Sequence, residues 1–373
     1  MSDAPISGSV AAPFEGVRDA FAAMFENEAE QGGAVAVAVD GEIVVDLVGG
    51  WSDKARETPW SGETIACVYS TGKAATAILM ALAVEEGKLD YDRPVADYWP
   101  EFAAHGKDRV TVAQALSHQA GLSGVADPME PADWLDWDVI AGRLAAMEPL
   151  FEPGAAHGYH PQTVGIIAGE ILRRVTGESV GDALRRRFPE LAIRCGLNAD
   201  EIARTAYMPK PKRAPDLGPL NPVKEAAFLK PWSSPAKVSR EDWIAAELPA
   251  ANMHADARSF AELLAVVATG GLFRGERILS AETISALTKP RASGPDLVLP
   301  FDLTWAAGLM ANTTGVYGPG AATRGHSGFG GACAFGDPER RLSFAFVPAR
   351  MDSYLVGDPR SVTLIEMVYA ALD

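Results

Sequence analysis

Ser70 and Lys73 head the run Ser70-Thr71-Gly72-Lys73, and behind them comes Ala74 to Val84, almost free of polar residues and of Gly and Pro. That run reads as a buried helix that stops at Gly87, with Glu85 and Glu86 in its last turn. A spacing of three puts Ser70 and Lys73 on one helical face, amine within reach of hydroxyl. Burial lowers a lysine's proton affinity, so the amine can act as the base that activates a serine nucleophile. The helix N-terminus also offers backbone N–H groups to a developing oxyanion. Together these are the parts of an acyl-transfer site.

The spacing alone is a weak signal, and the chain carries a second copy, Ser234-Pro235-Ala236-Lys237. That copy lies in a proline-rich stretch and leads into Val238-Ser239-Arg240-Glu241-Asp242, with no apolar helix to bury its lysine. A plain N-cap serine followed by a surface lysine is the competing reading of Ser70.

Two further stretches carry chemistry. Tyr159, in Gly158-Tyr159-His160-Pro161, precedes a helix-like run and follows the turn residues Pro153-Gly154. A phenol near a protonated lysine has a lowered pKa and can shuttle a proton to a leaving group. Taken alone, Tyr159 reads first as a half-buried tyrosine with one hydrogen bond. The glycines of Arg324-Gly325-His326-Ser327-Gly328-Phe329-Gly330-Gly331-Ala332 would let a strand approach a ligand and present an N–H to an oxyanion. A glycine-rich bulge with a surface histidine is the equal alternative there. His118 reads as structural, His105 as solvated, and no His, Asp or Glu spacing suggests a metal site.

The elements that must position these residues follow from periodicity. Phe14 to Glu30 is amphipathic and helix-like, while 33–39 and 43–48 are strands joined as a hairpin at Asp40-Gly41-Glu42. Helices are predicted at 112–117, 137–146, 164–175, 180–188, 259–268 and 362–372. Strands are predicted at 305–311, 332–336 and 342–348. Strands at both ends with helices between imply an α/β (α+β) fold. Residues 1–69 and 270–373 would form a discontinuous α/β domain, residues 70–269 a mainly helical one, with the site in the cleft between. Met208 to Pro235 holds seven prolines and large apolar residues including Trp232, and is expected to be an irregular wall of a substrate pocket.

Composition narrows the function classes. The 373 residues are 48% hydrophobic and 22% charged, and the net charge of −16 argues against nucleic acid or an anionic membrane as partner. No run is long enough to cross a membrane, and Met1 to Pro5 lacks a signal-peptide profile. Cys67, Cys195 and Cys333 are odd in number and widely spaced, which fits a reducing cytoplasm, with Cys67 a core residue.

In chain order, Ser70-Thr71-Gly72-Lys73, Leu116-Ser117-His118-Gln119-Ala120-Gly121-Leu122, Pro153-Gly154, Tyr159, Thr176-Gly177-Glu178-Ser179 and His326-Ser327-Gly328-Phe329-Gly330-Gly331 resemble the serine β-lactamase-like hydrolases. The branch most similar is the class C β-lactamase-like carboxylesterases, the family VIII esterases. The resemblance implies an antiparallel sheet flanked by terminal helices, with an inserted helical domain. It implies Ser70 as acylated nucleophile, Lys73 and Tyr159 in proton transfer, and the N–H groups of Ser70 and Phe329 as oxyanion hole. His326, Ser327 and Gly328, with Trp232, would bind substrate, and neither cofactor nor metal is needed. Two departures matter. The family's Tyr-x-Asn is Tyr159-His160-Pro161 here, and its Lys-Thr/Ser-Gly is His326-Ser327-Gly328. Losing the amide and the permanent cation favours neutral short-chain esters over β-lactams, with Arg324 a partial replacement for the charge. Acyl transfer, amide or lactone hydrolysis (including weak β-lactamase or D-peptidase activity), and an inactive binding protein on the same scaffold are the alternatives.

Overall fold

A computed structural model describes residues 4–26 and 30–372. The expectations that touch Met1–Asp3 and 27–29 lie outside the described residues.

A nine-stranded antiparallel sheet organises the molecule, built from both ends of the chain. Its third and fourth strands are Gly32–Val39 and Leu342–Pro348, paired with Val35 opposite Phe346 and Val37 opposite Phe344. The sequence Ala34-Val35-Ala36-Val37 explains the layering. Both sets of alternating residues are apolar, so both faces are buried, but one face is small and the other large. Val35, Val37, Phe344 and Phe346 pack with the terminal helices Glu15–Ala23 and Pro359–Ala370. Ala34, Ala36, Ala345 and Val347 face the helix Ala257–Ala268. The small face lets that helix come close: a Cβ on Gly336 would sit 2.6 Å from the Leu264 carbonyl oxygen. The sequence reading placed Ala257–Ala268 with the helical domain. It packs on the sheet because this alanine face can accept it.

Between the chain ends lie the helices Gly72–Glu85, Trp137–Ala146, Thr163–Thr176 and Val180–Arg187. Three predicted features come out differently. Within the described part of the amphipathic run from Phe14, the α-helix covers Glu15–Ala23. The expected strand 305–311 is a hairpin, Asp302–Trp305 and Met310–Ala311, because Gly308 turns the chain at φ 85°. The segment 208–235 is not wholly irregular, since Pro222–Lys224 is helical and Glu225–Leu229 is a π-helical turn. No described helix is long and apolar enough to cross a membrane.

Candidate active site

The nucleophile turn is built before the helix begins. Cys67 pairs with His254 in a small sheet, and Val68 N–H donates to the Met253 carbonyl at 2.9 Å, tying this turn to residues 250–253. Tyr69 then takes a left-handed φ of 45°, uncommon for a residue with a side chain, and a 3-10 turn Tyr69–Thr71 leads into the helix Gly72–Glu85. Ser70 does not cap that helix. Its Oγ lies 2.8 Å from Lys73 Nζ and accepts the Tyr159 phenolic hydrogen at 2.6 Å. The structure therefore brings Ser70, Lys73 and Tyr159 together.

Lys73 is buried, and burial holds its pKa well below the ordinary lysine value. Its amine also donates to the carbonyls of Pro161 at 2.7 Å and Ala250 at 2.9 Å. A neutral amine has two N–H groups and one lone pair. Two carbonyls take the two hydrogens, which leaves the lone pair for the Ser70 hydroxyl. Two helical glycines allow this: a Cβ on Gly165 would meet Ala250 N at 2.5 Å, and one on Gly72 would meet Met253 Cβ at 2.7 Å. The packing that carries the Ala250 carbonyl to Lys73 needs bare backbone at both.

Tyr159 departs from the sequence expectation. Burial raises its phenol above the usual tyrosine value rather than lowering it, and the nearby Asp296 carboxylate pushes the same way. It is a proton donor in the resting site. Its ring stacks on Trp305 at 5.4 Å, and its N–H donates to the fully buried carboxylate of Asp296 at 2.9 Å. Asp296 also accepts from Trp305 Nε1 and from the N–H groups of Val298 and Leu299. Sequence reasoning missed Asp296 and Trp305; the turn signal Gly294-Pro295-Asp296 could have pointed to the first.

The strand Arg324–Ser327 forms the opposite wall. His326 is buried rather than on the surface; its Nδ1–H donates to the Ser327 carbonyl at 2.7 Å, and Nε2 has no hydrogen-bond partner. Burial pulls its pKa down to about 3, so it carries no charge at neutral pH. Ser327 Oγ lies 2.8 Å from the Tyr317 hydroxyl. Gly328 does not line the cleft. It is a glycine because a Cβ there would sit 2.2 Å from the Val68 carbonyl, so it seats the strand end against the nucleophile turn. Phe329 lines the cleft and its N–H has no backbone partner among the described residues. The following turn, with Gly330 at φ 98° and Gly331 at φ 111°, is clamped by Arg360, which donates to the Gly330 carbonyl at 2.8 Å and pairs with Asp358 and Glu30. Arg360 carried no signal in the sequence.

Three other residues fall elsewhere. Arg324 donates to the carbonyls of Thr288, Ala321 and Thr323 and does not line the cleft, so it supplies no charge there. Trp232 is likewise absent from the lining; it packs against the helical core and donates from Nε1 to the Val125 carbonyl. The amphipathic indole finds its acceptor there. His160, in the family's asparagine position, donates to the Gly158 carbonyl, accepts from Leu122 N–H and is held neutral by burial, its pKa pulled to about 4. His118 is buried and accepts from His160 N–H, and His105 is exposed, as the sequence suggests.

The resulting cleft has a volume of ≈ 970 Å³, with Ser70, Tyr159 and His326 among its lining residues, and Phe228, Leu229 and Pro235 contributed by the proline-rich segment. No group of three or more potential metal ligands occurs among the described residues.

A family model described as "Beta-lactamase" matches residues 17–365. The chain belongs to the beta-lactamase family. "Esterase/beta-lactamase LipL" of Mycobacterium tuberculosis is 35% identical over 371 residues, spanning 94% of this chain and 84% of that protein. The crystal structure of a penicillin-binding protein homologue from Caulobacter crescentus superposes with a TM-score of 0.96 at 48% identity, covering 98% of this chain and 100% of that one. A family VIII carboxylesterase structure superposes with a TM-score of 0.92 at 40% identity, with the same coverage. This member of the beta-lactamase family is a serine hydrolase.

Proposed function

We propose that this protein hydrolyses carboxylic esters through an acyl-enzyme on Ser70, with the group next to the scissile carbonyl uncharged. The observation that carries the reading is the Lys73 amine, buried, with two carbonyl acceptors and its third valence facing Ser70 Oγ at 2.8 Å. The printed names of the esterase-type relatives agree with it.

Ser70 Oγ attacks the ester carbonyl as Lys73 takes its proton. The oxyanion is held by the N–H groups of Ser70 and Phe329. When the tetrahedral intermediate collapses, the C–O bond to the alcohol breaks. Tyr159 passes its phenolic hydrogen to the departing alkoxide, and the proton that Lys73 took from Ser70 then returns to the phenolate, both groups standing beside Ser70. Water then attacks the acyl-enzyme, loses a proton along the reverse path, and Ser70 Oγ leaves reprotonated. The uncharged His326 supports the neutral-substrate reading, because no permanent cation stands beside the nucleophile to hold a carboxylate. Three buried free cysteines are in keeping with a reducing cytoplasmic setting.

The test is the intact mass after exposure to an alkyl phosphonate ester, followed by peptide mapping. One adduct on Ser70 is expected. No adduct, or one on Ser234, overturns the assignment.

A further inference from the structure

We propose that the outer part of this cleft recognises an anion, so that the preferred esters carry a carboxylate at the end remote from the scissile bond; this rests on the ester-hydrolase reading above. Acidic residues outnumber basic ones 49 to 33 in the chain. The cleft reverses that balance. Lys210, Lys237 and Arg240 line it, and no aspartate or glutamate does. Asp216, Glu241 and Asp242 are close in sequence to these cations, yet none of them belongs to the lining.

Nothing in the fold uses these charges. None of the three enters an ion pair among the described residues, and the only side-chain hydrogen bond of Arg240 goes to the neutral Thr205 hydroxyl. All three are exposed, whereas Lys73, Tyr159 and His326 are buried. The cations therefore stand on the open side and the uncharged catalytic groups at the closed end. Lys237 is held at a left-handed φ of 59°, a conformation that the surrounding loop imposes on a non-glycine residue. Leu217, Phe228, Leu355 and Val356 supply apolar wall in the same cleft. A ligand that fits this gradient has a neutral ester at one end, an apolar spacer, and an anion at the other. A half-ester of a dicarboxylic acid has that form. The cations would also offset the repulsion that a protein of charge −16 exerts on any anionic substrate.

The experiment compares kcat/KM for p-nitrophenyl hydrogen adipate and p-nitrophenyl methyl adipate, whose remote carboxyl is a free carboxylate in one and a neutral methyl ester in the other. The half-ester is expected to be favoured about tenfold at low ionic strength, equivalent to about 1.4 kcal/mol. The ratio should fall towards one in high salt, and equally in the combined variant Lys210→Gln, Lys237→Gln, Arg240→Gln. A ratio at or below one in the unmodified protein, or one unmoved by both salt and the triple substitution, overturns the proposal. If neither ester is hydrolysed, the hydrolase reading fails on its own. Calorimetric binding of the two esters to Ser70→Ala then decides the anion site: tighter binding of the half-ester supports it, and equal binding rejects it.

Discussion

The chain contains the same Ser-x-x-Lys spacing twice, and the serines of both copies line one cleft. Ser70 stands in the turn that leads into a helix buried along nearly its whole length, and Lys73 stands in the first turn of that helix. Ser234 and Lys237 stand in an irregular wall, both exposed. Lys73 is stripped of water and given two carbonyls that accept its hydrogens, while Lys237 keeps its solvent shell. The difference shows that the pattern does not make a base. Desolvation does, and the backbone acceptors direct the lone pair that desolvation frees.

The sharpest way to break this comparison is to delete each serine in turn. Ser70→Ala should lower kcat by about 10⁴-fold or more, whereas Ser234→Ala should stay within about threefold. Equal effects in a steady-state assay with a p-nitrophenyl ester would erase the distinction. Removing the base comes next. Lys73→Met should lower kcat/KM by about 10³-fold, and in the unmodified protein the acid limb of the pH profile should lie well below the titration range of an ordinary lysine. An acid limb near the ordinary value of about 10.4 would mean the amine is charged at rest.

A smaller effect is expected at the clamp on the oxyanion turn. Arg360→Ala should lower kcat about tenfold with little change in KM, because Gly330 loses its anchor while the cleft walls stay in place. Partial recovery in Arg360→Lys would tie the loss to the lost donor, and a change confined to thermal stability would reduce Arg360 to a structural role.

The last effect, read on stability and not on rate, concerns acid stability of the closed end. His326 is uncharged when folded, with a pKa near 3, and has the ordinary value of about 6.5 when unfolded. Below pH 6.5 the unfolded chain therefore binds a proton that the folded one refuses, so stability falls as pH drops and is unaffected above that point. By pH 4 this amounts to roughly 3 kcal/mol, and His326→Gln should remove that share from the difference in urea midpoints between pH 7 and pH 4. No matching change is expected on replacing Lys237, which is exposed.

Much of the fold was legible because burial pattern and period agree. The alternating Ala34-Val35-Ala36-Val37 announces a strand buried on both faces, and 137–146 was bounded correctly from its apolar spacing alone. What escaped was set by contacts between distant segments. Trp232 looked like a pocket residue because of its size and its proline-rich setting, but the Val125 carbonyl, far away in sequence, captures its indole N–H. Arg324 looked like a substitute cation, but three carbonyls from two loops surround it. Tyr159 was expected to have a lowered pKa because the state of its neighbour, Lys73, is decided by burial and not by type.

The sequence by itself determined the identity and spacing of the reacting groups, the antiparallel sheet from both chain ends, and the helix that carries Lys73. Side-chain type and helical period are local properties, and they need no other part of the chain. Only the tertiary structure decided which of two like-spaced patterns has its lysine buried, that the Pro161 and Ala250 carbonyls receive the amine, and that Asp296 and Arg360 hold Tyr159 and the Gly330 turn in place. Every residue offers the same carbonyl and N–H, so a backbone partner leaves no mark on sequence. Burial likewise depends on what packs on top, and that is known only once the chain has closed over Lys73.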